Sequence, residues 1–263
     1  TGDWSSDVCS SDLMNFTRKS VSITLLTAVL SGPAAADFVG LNIGASHWMP
    51  DITGSFSSGN ANSIQLDNDL GYSDHTSTSV TLSFEHPIPL IPNVKYQGSD
   101  LNTSSNSTLN TDLEFNNRTY TATSNISSTL DLSHNDIVLY YELLDNWINL
   151  DVGVDLKTFD GKVSINGTDG IESITVDETI PMIYLSARFD LPLTGFYVGA
   201  NIQQLSIGDN SAEDTTLMVG YESSAGIGIE GGIKTFSLEL NDASDLNTNL
   251  EYDGLFLNGY FHF

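Results

Sequence analysis

The residues in this chain best placed to do chemistry are the charges Glu85, Lys95, Asp136, Glu142, Asp151, Asp155, Lys157, Arg188, Glu222, Glu230 and Lys234, each in phase with the polar side of an alternating run. Acids and bases gathered on one side of a sheet can pair into a network or line a passage that favours cations. No catalytic set accompanies them. Asp74-His75 is a carboxylate–imidazole pair without the further acids that water activation needs, and His47 and His134 stand apart from it in sequence. Ser133-His134 would place nucleophile and base on opposite faces of a strand. The run Asp67-Asn68-Asp69-Leu70-Gly71 begins like a calcium loop, but Gly71 stands where the third ligand belongs and Thr78 where the bidentate Glu belongs. The expectation is no catalytic residue, no metal site and no cofactor.

Positioning those charges requires strands. Beyond residue 36 there is no long apolar run, while period-two alternation recurs along the chain, the distributed pattern of a transmembrane barrel. In its clearest segment Ile148, Leu150, Val152, Val154 and Leu156 alternate with Asn149, Asp151, Gly153, Asp155 and Lys157. Similar segments begin near Val39, Val80, Val94, Ile137, Ile183, Phe196, Leu217, Ile227 and Leu255. This predicts an all-β, antiparallel up-and-down barrel of about ten strands, with eight as the alternative.

Short links at 87–92, 143–146, 191–195 and 223–225 predict periplasmic turns. Polar stretches at 49–75, 101–129, 166–176 and 241–249, with a shorter one at 209–214, predict outer loops. The Ser/Thr/Asn-rich stretch 102–110 is expected to be mobile. Phe38, Trp48, Tyr141, Trp147, Phe189, Phe196, Phe261 and Phe263 are expected in aromatic girdles.

The ends are read separately. Residues 1–13 resemble a translated sequencing adapter, and residues 14–36 a signal peptide: Arg18 and Lys19, an apolar core too short to span a bilayer, then small residues before Asp37. That leaves 37–263 as an outer-membrane barrel exported through the inner membrane. Its closing strand ends Tyr260-Phe261-His262-Phe263, where Phe261 and Phe263 would serve as the assembly signal for the barrel assembly machinery. Cys9 lies in the adapter, so 37–263 has no disulfide or thiolate chemistry. The whole chain carries a formal charge of −26, and 37–263 keeps 31 acids against 6 bases, a net of −25. Such a surface repels nucleic acid.

Several runs together resemble a family of uncharacterised proteobacterial outer-membrane β-barrel proteins named for a Gly-Gly motif: Leu66-Asp67-Asn68-Asp69-Leu70-Gly71, Glu85-His86-Pro87-Ile88-Pro89-Leu90-Ile91-Pro92-Asn93, Leu139-Tyr140-Tyr141-Glu142, Glu230-Gly231-Gly232 and the terminal aromatics. The resemblance implies an outer-membrane barrel and no known reaction.

The expected function is that of a non-enzymatic, structural or surface-exposed barrel. Outer-membrane lipid and lipopolysaccharide are its expected partners. The loop acids Asp67, Asp69, Asp74, Asp112, Glu114, Glu172, Asp177, Glu178, Asp242 and Asp245 form either a solvated rim or a site of divalent-cation bridging to lipid phosphates. A narrow cation-selective pore and a lipid-modifying enzyme are the alternatives.

Overall fold

The computed structural model describes residues 39–243 and 246–263. The adapter-like segment, the signal-like segment, Asp37, Phe38 and Asp245 lie outside them, as does the side chain of Asp242. Regular structure among the described residues is all β. In chain order the strands are β1 (Gly40–Ser58), β2 (Ile64–Gln65), β3 (Ser77–Glu85), β4 (Asn93–Asp100), β5 (Asn102–Thr108), β6 (Leu113–Phe115), β7 (Arg118–Tyr120) and β8 (Asn125–Asp131). There follow β9 (His134–Leu144), β10 (Ile148–Gly167), β11 (Gly170–Asp190), β12 (Phe196–Ile207), β13 (Asn210–Glu222), β14 (Ile227–Ala243) and β15 (Leu246–His262).

Ten of these close a barrel: β1, β3, β4 and β9 to β15 pair antiparallel in turn, and β1 meets β15 to shut the ring. The register places side chains of one period at one level. Leu82, Tyr96, Ile137 and Leu156 are successive cross-strand partners, all outward and exposed. Val154, Leu139, Val94 and Phe84 form the next such row. An apolar surface of this extent on every strand would aggregate in water, so this is the lipid-facing belt of a membrane-spanning barrel. Below it the outward aromatics sit at the end with the short turns, in pairs such as Trp147–Phe189 at 5.3 Å and Phe196–Tyr221 at 5.1 Å between ring centroids.

Trp48 departs from the expected girdle. Its side chain points inward and is buried, its Nε1 donating to the Gly254 carbonyl at 3.3 Å. The phase of β1 decides this, because Trp48 falls with Gly44 and Ser46 rather than with Ile43 and Met49.

The expected outer loops are mostly sheet. β1 runs on to Ser58, β10 and β11 to a tight turn at Gly167–Gly170, and β14 and β15 to Ala243 and Leu246. The stretch expected to be mobile is largely β5, paired along its length with β8 from Asn102↔Asp131 to Thr108↔Asn125. Ser, Thr and Asn hide such strands from an apolar-periodicity test, since the ladder comes from the neighbour and not from the strand's own pattern. β8 in turn pairs with the outer half of β10, whose inner half pairs with β9.

These extensions enclose a hydrophobic core. Phe56, Leu66, Leu70, Phe115, Tyr120, Leu130, Phe159, Ile165, Phe236, Leu250 and Tyr252 are each at most 2% exposed. The β6–β7 ribbon supplies two of them, and Phe115 packs edge-on to Phe56 at 5.8 Å. Each such side chain contributes roughly 1.5–3 kcal/mol by leaving water. Leu101 and Leu132, at the breaks where β4 passes to β5 and β8 to β9, are buried in the same core. The Gly-Gly pair lies lower on β14, where a Cβ on Gly232 would run into the Leu217 carbonyl of β13, so only glycine permits that close approach.

Candidate functional site

Below the hydrophobic core the lumen is polar and partly hollow. A cavity of about 300 Å³ runs from Trp48, Phe236 and Phe256 at its outer end to Glu142, Arg188 and His262 at its inner end. All eleven sequence-identified charges sit on inward positions, and the structure sorts them into three groups.

The outermost group is a buried network. Lys157 Nζ lies 2.9 Å from Asp136 Oδ2 and 3.4 Å from Asp214 Oδ2, and Lys234 Nζ lies 3.1 Å from the same Asp214 oxygen. Lys157, Asp136 and Asp155 are 0% exposed. Register explains the first pair, since Lys157 and Asp136 are direct cross-strand partners. Asp155 joins the group two residues along β10 with no hydrogen-bond partner on either oxygen among the described residues, so the network holds one acid more than its two lysines balance. His134 caps it, stacked on Phe236 at 5.8 Å with Nδ1 on the Leu132 carbonyl at 2.9 Å.

A second group lies on β11 to β15 at the inner end. Arg188 bonds Asp190 through Nε (2.9 Å) and Nη2 (2.8 Å) and Glu222 through Nη2 (3.0 Å), and its guanidinium lies 3.8 Å from the centre of the Tyr197 ring. Tyr260 and His262 complete the shell of Glu222 at 3.0 and 3.2 Å. Glu230 accepts from the Tyr197 hydroxyl at 2.7 Å and the Asn258 amide at 2.9 Å.

The third group, on β3, β9 and β10, is acidic. Glu85 accepts from the Tyr140 hydroxyl at 2.7 Å, Glu142 from the Asn93 amide at 3.2 Å, and Asp151 is the cross-strand partner of Glu142. No ion pair joins these three to a base among the described residues. Lys95 stands over the Tyr184 ring at 5.6 Å. Three of the four lumen bases are therefore in ion pairs among the described residues, and the hydrophobic core fills the barrel above them.

Four functional side chains escaped the sequence reading. Asp214 lay in an expected loop, yet two steps of period two back from Met218 reach it. His262 follows from the alternation of Phe261 and Phe263, and Tyr197 and Tyr260 from their own strands. His134 is buried because β9 begins on it in inward phase. Neither Asp74-His75 nor Ser133-His134 assembles a site. His75 is partly buried, which lowers its imidazole pKa against the pull of Asp100, while Asp74 faces Asp51 instead. Ser133 Oγ accepts from the Leu101 amide at 3.0 Å, and His134 turns into the lumen. The calcium-like run is a turn: Asp67 and Asp69 accept the amides of Asn68 and Gln65, each at 2.8 Å, while Leu66 and Leu70 anchor it in the core.

The geometry decides the architecture. The chain is a closed ten-stranded membrane barrel. No protein-family model and no curated protein matches it. Among solved structures it is similar to the outer membrane protease OmpT of Escherichia coli, at 11% identity over 84% of this chain and 97% of that one, with a TM-score of 0.46. It is also similar to the translocator domain of the autotransporter NalP of Neisseria meningitidis (12% identity, 84% and 88% covered, TM-score 0.41). A third is Ail, the attachment invasion locus protein of Yersinia pestis, in complex with the heparin analogue sucrose octasulfate (10%, 84% and 98%, 0.34). Likenesses this distant carry no argument about function, and the barrel rests on the chain's own strand register.

Proposed function

We propose that this is an integral outer-membrane barrel that neither conducts nor catalyses, and that works through the acidic β-extension it holds outside the cell. One observation carries the reading: the long-hairpin half of the barrel is filled by a buried apolar core, which makes the polar lumen beneath it a blind cup. The even strand number, with the short turns and the described chain ends at one end, supports placing that end in the periplasm. Phe261 and Phe263, neighbours at 5.0 Å on the outward face, are the proposed signal to the assembly machinery. Membership of the Gly-Gly family is part of the same proposal.

Directly above the lipid belt, Asp51 and Asp253 are outward cross-strand partners, and Asp74 adjoins Asp51. At that height they meet lipopolysaccharide phosphates, and divalent cations bridging the two would relieve the repulsion. Single-channel recording in a planar bilayer tests the main claim. A folded, silent barrel is expected, and steady cation-selective openings would establish the narrow pore instead.

A further inference from the structure

Three turns at the inner end of the barrel are more apolar than a turn in water needs to be. They are the β3–β4, β9–β10 and β11–β12 turns, neighbours around the ring through the pairings of β4 with β9 and β10 with β11. Together they expose Ile88, Leu90, Ile91, Leu143, Leu144 and Leu193. The register shift that passes from Asp151↔Glu142 to Leu150↔Leu144 skips Leu143, a bulge that adds one apolar residue to this rim. The next turn around the ring, Ser223-Ser224-Ala225-Gly226 between β13 and β14, carries no large apolar side chain.

Two observations set these residues apart from ordinary surface leucines. The first is strain. Leu90 and Leu193 stand in left-handed backbone, at φ 68° and 66°, where glycine or asparagine serves a turn at lower cost; the polar turn has Gly226 in that conformation, at φ 76°. Each leucine is nonetheless uncovered, Leu90 being 91% exposed and Leu193 fully so. The turns are held firmly: Asn93 Oδ1 accepts the His86 amide at 3.0 Å, and the Leu191 carbonyl accepts from Thr194 through its amide at 3.2 Å and its hydroxyl at 2.8 Å. The second is continuity with the lipid belt. Tyr141 alternates with inward Tyr140, and its hydroxyl donates to the Leu90 carbonyl at 2.9 Å, which ties the β3–β4 turn to the lipid side of the wall. Trp147 of the β9–β10 turn is itself one of the outward aromatics. No Lys or Arg occurs in 86–92, 143–147 or 191–195, so the rim is apolar without a charge to grip phosphate.

We propose that these three turns are seated in the phospholipid of the inner leaflet, forming a half-collar that sinks the β3–β12 side of the barrel while the β13–β14 turn stands in water. Apolar side chains that reach the headgroup–acyl boundary leave water there, and this offsets the strain that holds Leu90 and Leu193 at their tips. Only the choice of leaflet rests on the proposed periplasmic placement of this end. The lipid contact can be read without it.

The test introduces Leu90→Cys, Leu193→Cys or Ser224→Cys singly into the full chain carrying Cys9→Ser, labels each with a small fluorophore and folds it into phosphatidylcholine vesicles, with folding checked by heat-modifiable gel mobility. Phosphatidylcholine spin-labelled near the top of its acyl chain should quench the labels at 90 and 193, and iodide in the water should quench the label at 224. Labels at 90 and 193 as open to iodide as the one at 224 would overturn the proposal and leave the rim to a soluble partner. A second readout needs no label. Leu90→Asn with Leu193→Asn suits the left-handed backbone better, so turn geometry alone predicts a urea midpoint in these vesicles equal to or above that of the parent. Seating in lipid predicts a lower midpoint, and one that is not lowered would also overturn the proposal. Reaction of Ser224→Cys with a membrane-impermeant maleimide on intact cells would keep the lipid seat and overturn the periplasmic placement.

Discussion

The two halves of the barrel interior solve the same closure problem with opposite chemistry. The outer half excludes water with aromatic and aliphatic side chains drawn from both walls and from the β6–β7 ribbon. The inner half keeps a polar cavity with the Arg188 ion pairs on the β11–β15 side and, among the described residues, no ion pair for Glu85, Glu142 or Asp151 on the β3–β10 side. The difference teaches that charge inside this barrel does not seal it. Lys157, Lys234, Asp136 and Asp214 form the boundary, where a low dielectric rewards pairing even though Asp155 beside them has no hydrogen bond; below them Glu85, Glu142 and Asp151 stand in a space wide enough for water.

Three changes would break or sharpen that contrast. Lys157→Met strikes the boundary and should have the largest effect, on the order of 4 kcal/mol, because Asp136 and Asp155 would be left as buried, uncompensated acids. Urea titration in micelles, followed by heat-modifiable mobility, reads it; an unshifted midpoint would mean that the network contributes nothing. Phe56→Ala removes an aromatic that is 2% exposed and should cost about 3 kcal/mol, confined to the extension. Protease sensitivity of the β1–β2 and β6–β7 segments should rise while the membrane part stays folded. A loss of the whole barrel would show that the two halves are one cooperative unit.

The smallest effect belongs to the outer surface. The hydrogen bond and charge of Asp74 come first among the causes that raise the Asp51 carboxyl above its ordinary value, followed by burial and Asp253. A carboxyl whose pKa is raised by folding favours the fold below its unfolded value and opposes it as pH climbs through the folded one. Asp51→Asn should therefore leave stability unchanged in acid and raise it slightly at neutral pH, with added magnesium closing the difference. A variant less stable at neutral pH would argue that the trio is held by something other than repulsion.

The membrane part was legible because lipid on one side and a narrow lumen on the other enforce strict alternation. Along β10 the pattern from Ile148 to Lys157 places every lumen charge without further help. The extension was not legible for a stated reason: β5 is Asn-Thr-Ser-Ser-Asn-Ser-Thr, with no apolar side to betray it, and its strand state comes from β8, brought alongside by the ladder of β4 and β9. Trp48 was misplaced among aromatics whose neighbours face lipid, because residue type spoke louder than phase.

By itself the sequence determined a barrel of about ten strands, the lipid face and the inward side of the eleven charges it singled out, since these are local consequences of period two. Tertiary structure alone decided which charges meet and where the apolar core lies. Those outcomes depend on register between strands far apart in the chain, on Asp214 reaching Lys157 and Lys234, and on a core assembled from segments that look like solvated loops when each is taken alone.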